Sequence, residues 1–454
     1  MSKLLKSIHL TNYYHKNSGG ISTAYNKLLE AANRHQRFVR LIVPGEKAEV
    51  EEVGKFGRIY YVEANYSPVF DKRYRLMLPW KTYIFDEAPI KKILREEKPD
   101  IVEIGEKYSL SLMAGLMRKG ILNVSDTRPM LVHFSCERMD DNVTAFVGDL
   151  KPLKWFARRL MGNYVFPMFD FHLANSDYTA QELYNAVDGG KNPERSKAFL
   201  NFCWRYFRAA TIPIEERIIV NHCGVDVENF GIERRSDEFR RQILKNHNLS
   251  ENAILLLYAG RISPEKNIRL LVGTMKVLAK DTTRDFHLLA VGAGPMTDWL
   301  KNQSEKLGGN KIIMPGHLDK ETLANYYANC DVFVHPNPRE PFGIAPLEAM
   351  ASGVPVIAPN SGGLLAYSSD ENAWLVEPTA EKFASAIQDI LSDEKKREEK
   401  IAGAFETSKN YSWETSTDRL FSIYDKLYED FTRRNKLFTD GETSKKFNFA
   451  ELLS

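Results

Sequence analysis

Short apolar runs recur along the chain, each closed by turn residues and followed by a stretch with apolar positions at helical spacing. "SIHLTN" predicts the first strand, and a Gly-Gly turn then leads into the helical stretch "STAYNKLLEAANRH". "RFVRLIVPG", "GRIYYVEA", "PDIVEIG", "PMLVHFS" and "FHLAN" continue the strands, with helical stretches between most of them. Such alternation predicts a mainly parallel sheet covered by helices. After "RIIVNHCGVDVENFG" the pattern restarts with "AILLLYAG", a helix from about Pro264, "FHLLAVGAG", "KIIMPG" and "CDVFVHPN". Two α/β series joined near residues 222–230 predict two doubly wound domains facing a cleft, 1–222 and 223–412. Residues 413–432 carry Leu420, Ile423, Tyr424 and Leu427 at helical spacing, which predicts a helix packed on a domain face. Residues 433–454 are a tail, whose stretch "TDGETSKKFNFAELLS" has few regular signals and is expected to fray.

Composition removes several functions. Of 454 residues, 62 are Lys or Arg and 60 are Asp or Glu, so no global basic field argues for nucleic acid. The four cysteines are scattered without a paired C-x-x-C, which argues against a zinc site and a disulfide framework and suits a reducing cytoplasm. The N-terminus lacks the apolar core of a signal peptide, and no apolar run reaches the ~20 residues that span a bilayer. The chain is expected to be soluble and cytoplasmic, or peripheral on the inner face of the membrane.

Candidate chemistry gathers in four loops at predicted sheet mouths. "NSGGISTAY" sets Gly19 and Gly20 before a helix, where glycines let backbone N–H groups approach a phosphate. "AGRISPEKN" offers Arg261 and Lys266. "VGAGP" supplies Gly292 and Gly294 but lacks the third glycine of the dinucleotide fingerprint, which disfavours NAD. "PREPFGIAPLEAM" places Glu340 in a strand-to-helix loop and Glu348 on the helix, with the amides of Gly343, Ile344 and Ala345 opening that helix. By themselves the two carboxylates suit salt bridges, metal ligation or sugar hydroxyls. Two cations, a helix N-terminus and two acids around one crevice suit a diphosphate flanked by two polyols, as in a nucleotide sugar.

"YAGRISPEKNIRLLV", the E-x7-E pattern "EPFGIAPLE", "EAMASGVPVIAPNSGG" and "HCGVDVENF" together resemble family 4 of the retaining glycosyltransferases. The similarity is strong from about Ile218 to Val376 and loose in the N-terminal half. The resemblance implies the GT-B fold: two Rossmann-like doubly wound domains, with a C-terminal helix returning to the N-terminal domain. It implies that Arg261 and Lys266 hold the donor diphosphate, that Glu340 lies beside the transferred sugar, and that Glu348 binds the ribose. It also implies that Gly19 and Gly20 reach the phosphates, that Gly292 and Phe342 line the donor site, and that backbone around "MPGHL", including His317 and Leu318, meets the base. His133 in "LVHFSCE" falls where the family often has a histidine beside the sugar, although the following residues depart from the usual His-Asp.

The implied reaction is hexosyl transfer from a nucleotide sugar, UDP favoured over GDP-mannose, to a sugar or lipid-linked acceptor. Front-face attack would give an α-linkage, with closure about 222–230 excluding water. No Asp-x-Asp stands near these loops, so neither metal nor cofactor is expected. A scaffold that binds nucleotide sugar without turning over is the rival reading. Two basic stripes remain. "KPLKWFARRLMGNY" sets Lys151, Lys154, Arg158 and Arg159 against Leu153, Phe156, Ala157 and Leu160. "RSKAFLNFCWRYFRA" sets Lys197, Arg205 and Arg208 against Phe199, Phe202, Tyr206 and Phe207. The apolar sides are expected to pack on the N-terminal sheet; the alternative is an interfacial membrane surface.

Overall fold

Two sheets buried on both faces organise the chain in this computed structural model, which describes residues 4–14, 19–67, 75–125, 127–147, 150–187 and 202–439. The chain divides into two compact units. The first holds the residues up to His222 and those from Ser416 onward; the second is Cys223–Thr415, with Ala145–Gly148 counted to it. The chain therefore passes between units at 222/223, beside the predicted hinge, and again near the start of the C-terminal helix.

In the first unit the strands are β1 (Lys6–Leu10), β2 (Phe38–Gly45), β3 (Glu49–Val53) and β4 (Gly57–Glu63). A two-stranded antiparallel ribbon of β5 (Asn65–Tyr66) and β6 (Arg75–Leu76) follows. Then come β7 (Ile101–Ile104), β8 (Met130–Ser135), β9 (Phe171–Ala174) and β10 (Ile218–Val220). The large sheet runs β10-β9-β8-β7-β1-β2-β4-β3, parallel except for the β3–β4 pair. Neither β3 nor the ribbon is visible in the apolar pattern. β3 reads Glu-Val-Glu-Glu-Val and has no buried residue, so it is held by its ladder to β4 rather than by a core face.

Successive residues of β1 serve opposite faces. Ile8 and Leu10 enter one core with Val102 and Ile104, while Val39, Leu41 and Val43 of β2 enter the other. That second core is closed by the helix Trp413–Arg433, which buries Phe421, Tyr424 and Phe431 against it, with Leu420, Ile423 and Leu427 packed alongside. The Tyr424 hydroxyl donates to buried Glu103, which also bonds His9 at 2.9 Å. The returning helix thus docks as its spacing predicts. The tail opens with a further helical turn, Asn435–Thr439, and Phe438 is buried in the same core. Residues 440–454 lie outside the described residues.

The second unit contains β11 (Ile254–Ala259), β12 (Phe286–Val291), β13 (Ile312–Gly316), β14 (Val332–Val334), β15 (Val356–Pro359) and β16 (Trp374–Val376). All pairs are parallel, in the order β13-β12-β11-β14-β15-β16. Leu255 and Leu257 enter one core and Leu256 and Tyr258 the other, as near-continuous apolar strands of a doubly covered sheet require. The helix expected from Pro264 starts later. Pro264–Lys266 is a single 3-10 turn, Asn267 takes a left-handed φ of 53°, and the α-helix is Ile268–Leu278.

Candidate active site

In the second sheet β11 has β12 on one side and β14 on the other, so the chain reverses its direction of strand addition between β11 and β14. Ligands of open α/β sheets bind at such a switch, outside the carboxyl ends of the strands. Loop 260–267 leaves β11 there and loop 335–343 leaves β14. The left-handed Asn267 joins them, its amide donating to the Pro336 carbonyl at 3.0 Å. Lys266 Nζ reaches both oxygens of Glu340, at 3.0 and 2.8 Å, and Asn337 Nδ2 donates to Oε2 at 3.0 Å. His335 Nε2 stands 3.6 Å from the same oxygen.

These neighbours set the charge of Glu340. Burial pushes its carboxyl up, but the Lys266 charge, His335, and hydrogen bonds from Lys266 and Asn337 outweigh it and hold the group at about 2. Burial lowers His335 to about 4, so its ring is neutral at pH 7. Arg261 is on the same loop as Lys266, with Nη1 3.5 Å from Glu265 and its carbonyl accepting from the Tyr258 hydroxyl at 2.7 Å.

Gly343 caps the helix Ile344–Ala351 with φ 91°, a conformation that disfavours any side chain, and the Tyr367 hydroxyl fixes its carbonyl. The helix has no acid in its first turn, and Ile344 and Ala345 are only partly buried. Its unsatisfied first-turn amides therefore present partial positive charge beside the Lys266–Glu340 pair. Phe342 is buried, with ring centroids 5.2 Å from Tyr367 and 6.2 Å from Tyr411, and so anchors the loop from beneath. Glu348, on the following helix, accepts from the Tyr327 hydroxyl at 2.9 Å. Burial raises it to about 7; the Tyr327 bond and Lys320 act in the other direction and Asp226 adds to the rise.

Gly292 has a packing reason. A Cβ there would lie 2.0 Å from the Gly260 carbonyl oxygen, so glycine lets the loop after β12 touch the loop that carries Arg261. Gly294 is the same case, 2.2 Å from the Ile262 carbonyl oxygen. His317 is exposed and Leu318 partly buried, between β13 and the helix Lys320–Ala328.

In the first unit, Gly19 precedes the helix Gly20–Arg34 just beyond β1, and β1 is itself the switch strand between β7 and β2. His133 lies inside β8 with no accessible surface. Its Nδ1 is 3.2 Å from Nδ1 of His172 and its ring lies 5.3 Å from Phe169, and Nε2 finds no partner among the described residues. Burial, then the Lys107 charge, keep it well below the usual histidine range. The ring is thus interior to the first unit. Sequence reasoning overlooked Asn337, His335 and Tyr327. The first two flank Pro336 in "VHPNPRE", where polar residues between a strand and the acid were the available signal. Tyr327 belongs to a separate helix and gave none.

Residues 239–407 match the family model described as glycosyl transferases group 1. A Mycobacterium tuberculosis protein, a GDP-mannose-dependent alpha-(1-6)-phosphatidylinositol dimannoside mannosyltransferase, is 25% identical over 86% of this chain and 88% of its own. An uncharacterized glycosyltransferase of Methanocaldococcus jannaschii is 30% identical over 46% of this chain, and the alignment spans about half of that relative, 54%. Among solved structures, Anabaena HepE in complex with UDP superposes with a TM-score of 0.65 at 17% identity, covering 93% of this chain and 100% of that one. That likeness is one of fold, and the fold is GT-B. The segment that matches the glycosyl transferases group 1 model contains both loops of the Lys266–Glu340 pair.

Proposed function

We propose that the chain transfers a hexosyl group from a nucleotide-diphosphate sugar to an acceptor hydroxyl, with retention of the α configuration. The observation that carries this is the Lys266–Glu340 pair at the switch point of a glycosyl transferases group 1 segment. The bond from the anomeric carbon to the diphosphate breaks, the acceptor oxygen bonds to that carbon from the same face, and the acceptor proton passes to the departing diphosphate oxygen. Lys266, Arg261 and the amides at Ile344 and Ala345 supply positive charge where the leaving group becomes more negative. Glu340, held ionised, accepts hydroxyls of the hexose, and Glu348 accepts those of the ribose.

The relative aligned over most of both chains is named as GDP-mannose-dependent, which moves the first donor to test from the UDP sugar favoured by sequence to GDP-mannose. Its name includes a phosphatidylinositol dimannoside, which supports a lipid-linked hydroxyl beside a sugar one. Lys266, Arg261 and the helix N-terminus can meet the negative charge that builds on the departing diphosphate, so transfer is expected to proceed in EDTA. The test is nucleotide release from UDP, GDP and ADP sugars with and without EDTA, followed by NMR of the product. An α-linked product formed in EDTA supports the reading. An inverted product, or activity lost in EDTA and restored by magnesium, overturns the mechanism; no turnover of any donor, with nucleotide still bound, leaves the scaffold reading.

A further inference from the structure

The two basic stripes of the first unit pack only in part as the sequence suggested: Ala157, Leu160 and Phe207 join the core, whereas Phe156, Phe202 and Tyr206 do not. In the helix Lys151–Leu160 the inward side is Ala157 with partly buried Leu153 and Leu160, while Phe156 turns outward beside Trp155. Trp155 and Phe156 are 60% and 58% exposed. In residues 202–208, Trp204 alone is buried, whereas Phe202 and Tyr206 are 67% and 52% exposed and stack with centroids 6.4 Å apart. Phe199 and Lys197 lie outside the described residues.

The two segments adjoin. Trp204 stacks on Phe166 at 5.5 Å, and its indole N–H donates to the Gly162 carbonyl at 3.0 Å, just beyond the end of the 151–160 helix. Lys119, at the end of the helix Ser111–Arg118, stands 4.6 Å over the Tyr206 ring. Soluble monomers seldom leave several large aromatic rings exposed on neighbouring segments, because each ring left in water forfeits its burial energy.

The charges say what covers them. Residues 150–160 contain four cations and no acid, and residues 202–208 two cations and no acid. Among the described residues, buried Asp140 lies 3.9 Å from Arg158 and is already held by Arg138 at 2.8 Å. Arg159 lies 5.1 Å over the Trp155 ring, so its stem runs beside the aromatic and its charge sits at the ring's level. A protein-binding surface would be depleted of lysine at its centre. Exposed Trp, Phe and Tyr interleaved with Lys and Arg, with no helix among the described residues able to cross a membrane, is instead the composition of an interfacial element.

We infer that the outward face of residues 150–160 and 202–208 is a docking surface for an anionic lipid bilayer, with the rings inserted among headgroups and the cations on lipid phosphates. The inference stands apart from the donor site, and its test contains no donor, so failure of the transfer reading would leave it intact.

The full chain is mixed with vesicles of phosphatidylcholine alone, or of equal parts phosphatidylcholine and phosphatidylglycerol, and floated on a density gradient at rising NaCl. The chain is expected to float with the anionic vesicles at low salt and to be released as salt screens the cations. Trp155→Ser with Phe156→Ser, and Phe202→Ser with Tyr206→Ser, are each expected to weaken partitioning by roughly tenfold or more with unchanged melting, since these rings support no core. Lys151→Glu with Lys154→Glu, which leaves the rings in place, is expected to abolish the preference for anionic vesicles and serves if an aromatic variant melts early. No flotation with anionic vesicles at low salt overturns the inference, as does flotation unaltered in all three variants. Self-association of the wild-type chain that disappears in Trp155→Ser with Phe156→Ser would assign the face to a second copy, and overturns it too.

Discussion

Ion pairs of the first unit's interior and the pair at the second unit's strand mouths differ in what they leave to solvent. In the first, Lys107 meets Glu182 at 2.7 Å with 1% of each side chain accessible, and Asp170, wholly buried, binds Arg118 and Arg128. In the second, the Lys266 side chain keeps 28% of its surface and Arg261 27%, at loops beyond the strand ends. A pair sealed from solvent has no surface left to present to a ligand, and removing one partner strands a charge. A pair at a strand mouth retains donors that can be turned to a ligand. Charge alone therefore does not mark a site; charge with remaining surface does.

The largest expected effect tests the first half of this contrast. Asp170 accepts from Arg118, from Arg128 at 2.7 and 3.1 Å, and from the Leu131 amide at 2.8 Å. Asp170→Ala leaves two guanidinium groups without their carboxylate and should cost about 3–5 kcal/mol of stability in a urea melt. A variant that melts like wild type but has lost activity would reverse the assignment.

Lys266→Ala is the counterpart. It should lose less stability than Asp170→Ala, because Lys266 is partly exposed and Asn337 still bonds the Glu340 carboxylate, while turnover should fall by roughly 10²–10³, the usual cost of removing one stabiliser of developing charge. Steady-state nucleotide release checks it, and turnover near wild type would break the comparison. The same experiment applied to His133 is informative in the other direction. Because the ring is interior, His133→Ala should show chiefly as lost stability.

Much of this was legible in sequence, for physical reasons. Strands covered on both faces must be apolar throughout, so β11, β12 and β15 announce themselves, and the Tyr424 helix shows its stripe. The loop geometry followed from Gly343 and the helix after it. Hidden were features set by tertiary partners: the edge strand β3, stabilised by its ladder; Tyr327, brought to Glu348 from another helix; and the outward turn of Phe156. Spacing finds two sides of a helix but not which one the fold covers. The burial of His133 was equally invisible, since a histidine inside "LVHFS" reads the same whether its ring faces a cleft or His172.

Within the second unit the two acids repeat the contrast on a smaller scale. Glu340 has three polar neighbours and stays ionised, whereas Glu348 accepts from the Tyr327 hydroxyl and is raised by burial. Glu348→Gln should weaken binding of a free nucleoside diphosphate by roughly ten- to a hundredfold, the range for a lost hydrogen bond to a charged group. Glu340→Gln should leave that affinity nearly alone and lower turnover, since the free nucleotide lacks the hexose. Calorimetric titration of both variants decides it, and equal losses would show that the two acids are not divided between sugar and ribose.

The smallest effect is a pH dependence that follows from Glu348 at about 7. A carboxylate accepts both hydroxyls of a ribose diol, whereas the protonated acid must spend one oxygen as a donor. Affinity for nucleoside diphosphate should therefore rise, by up to roughly tenfold, between about pH 6 and about pH 8 as the group ionises. Stability should move the opposite way. The folded value lies above the ordinary carboxyl value, so Glu348 contributes fully below that ordinary value and the contribution is lost as pH rises through about 7. Binding to the ribose would favour the ionised form and release a proton, which titration in two buffers of different ionisation enthalpy would detect. The phosphate of the ligand titrates nearby, so Glu348→Gln is the control: it should remove the protein's share of the slope and of the released proton. If the profiles of the wild-type chain and the Glu348→Gln variant coincide, the carboxylate is not the group that meets the ribose, and Glu348 joins Asp170 among the charges that only hold the fold.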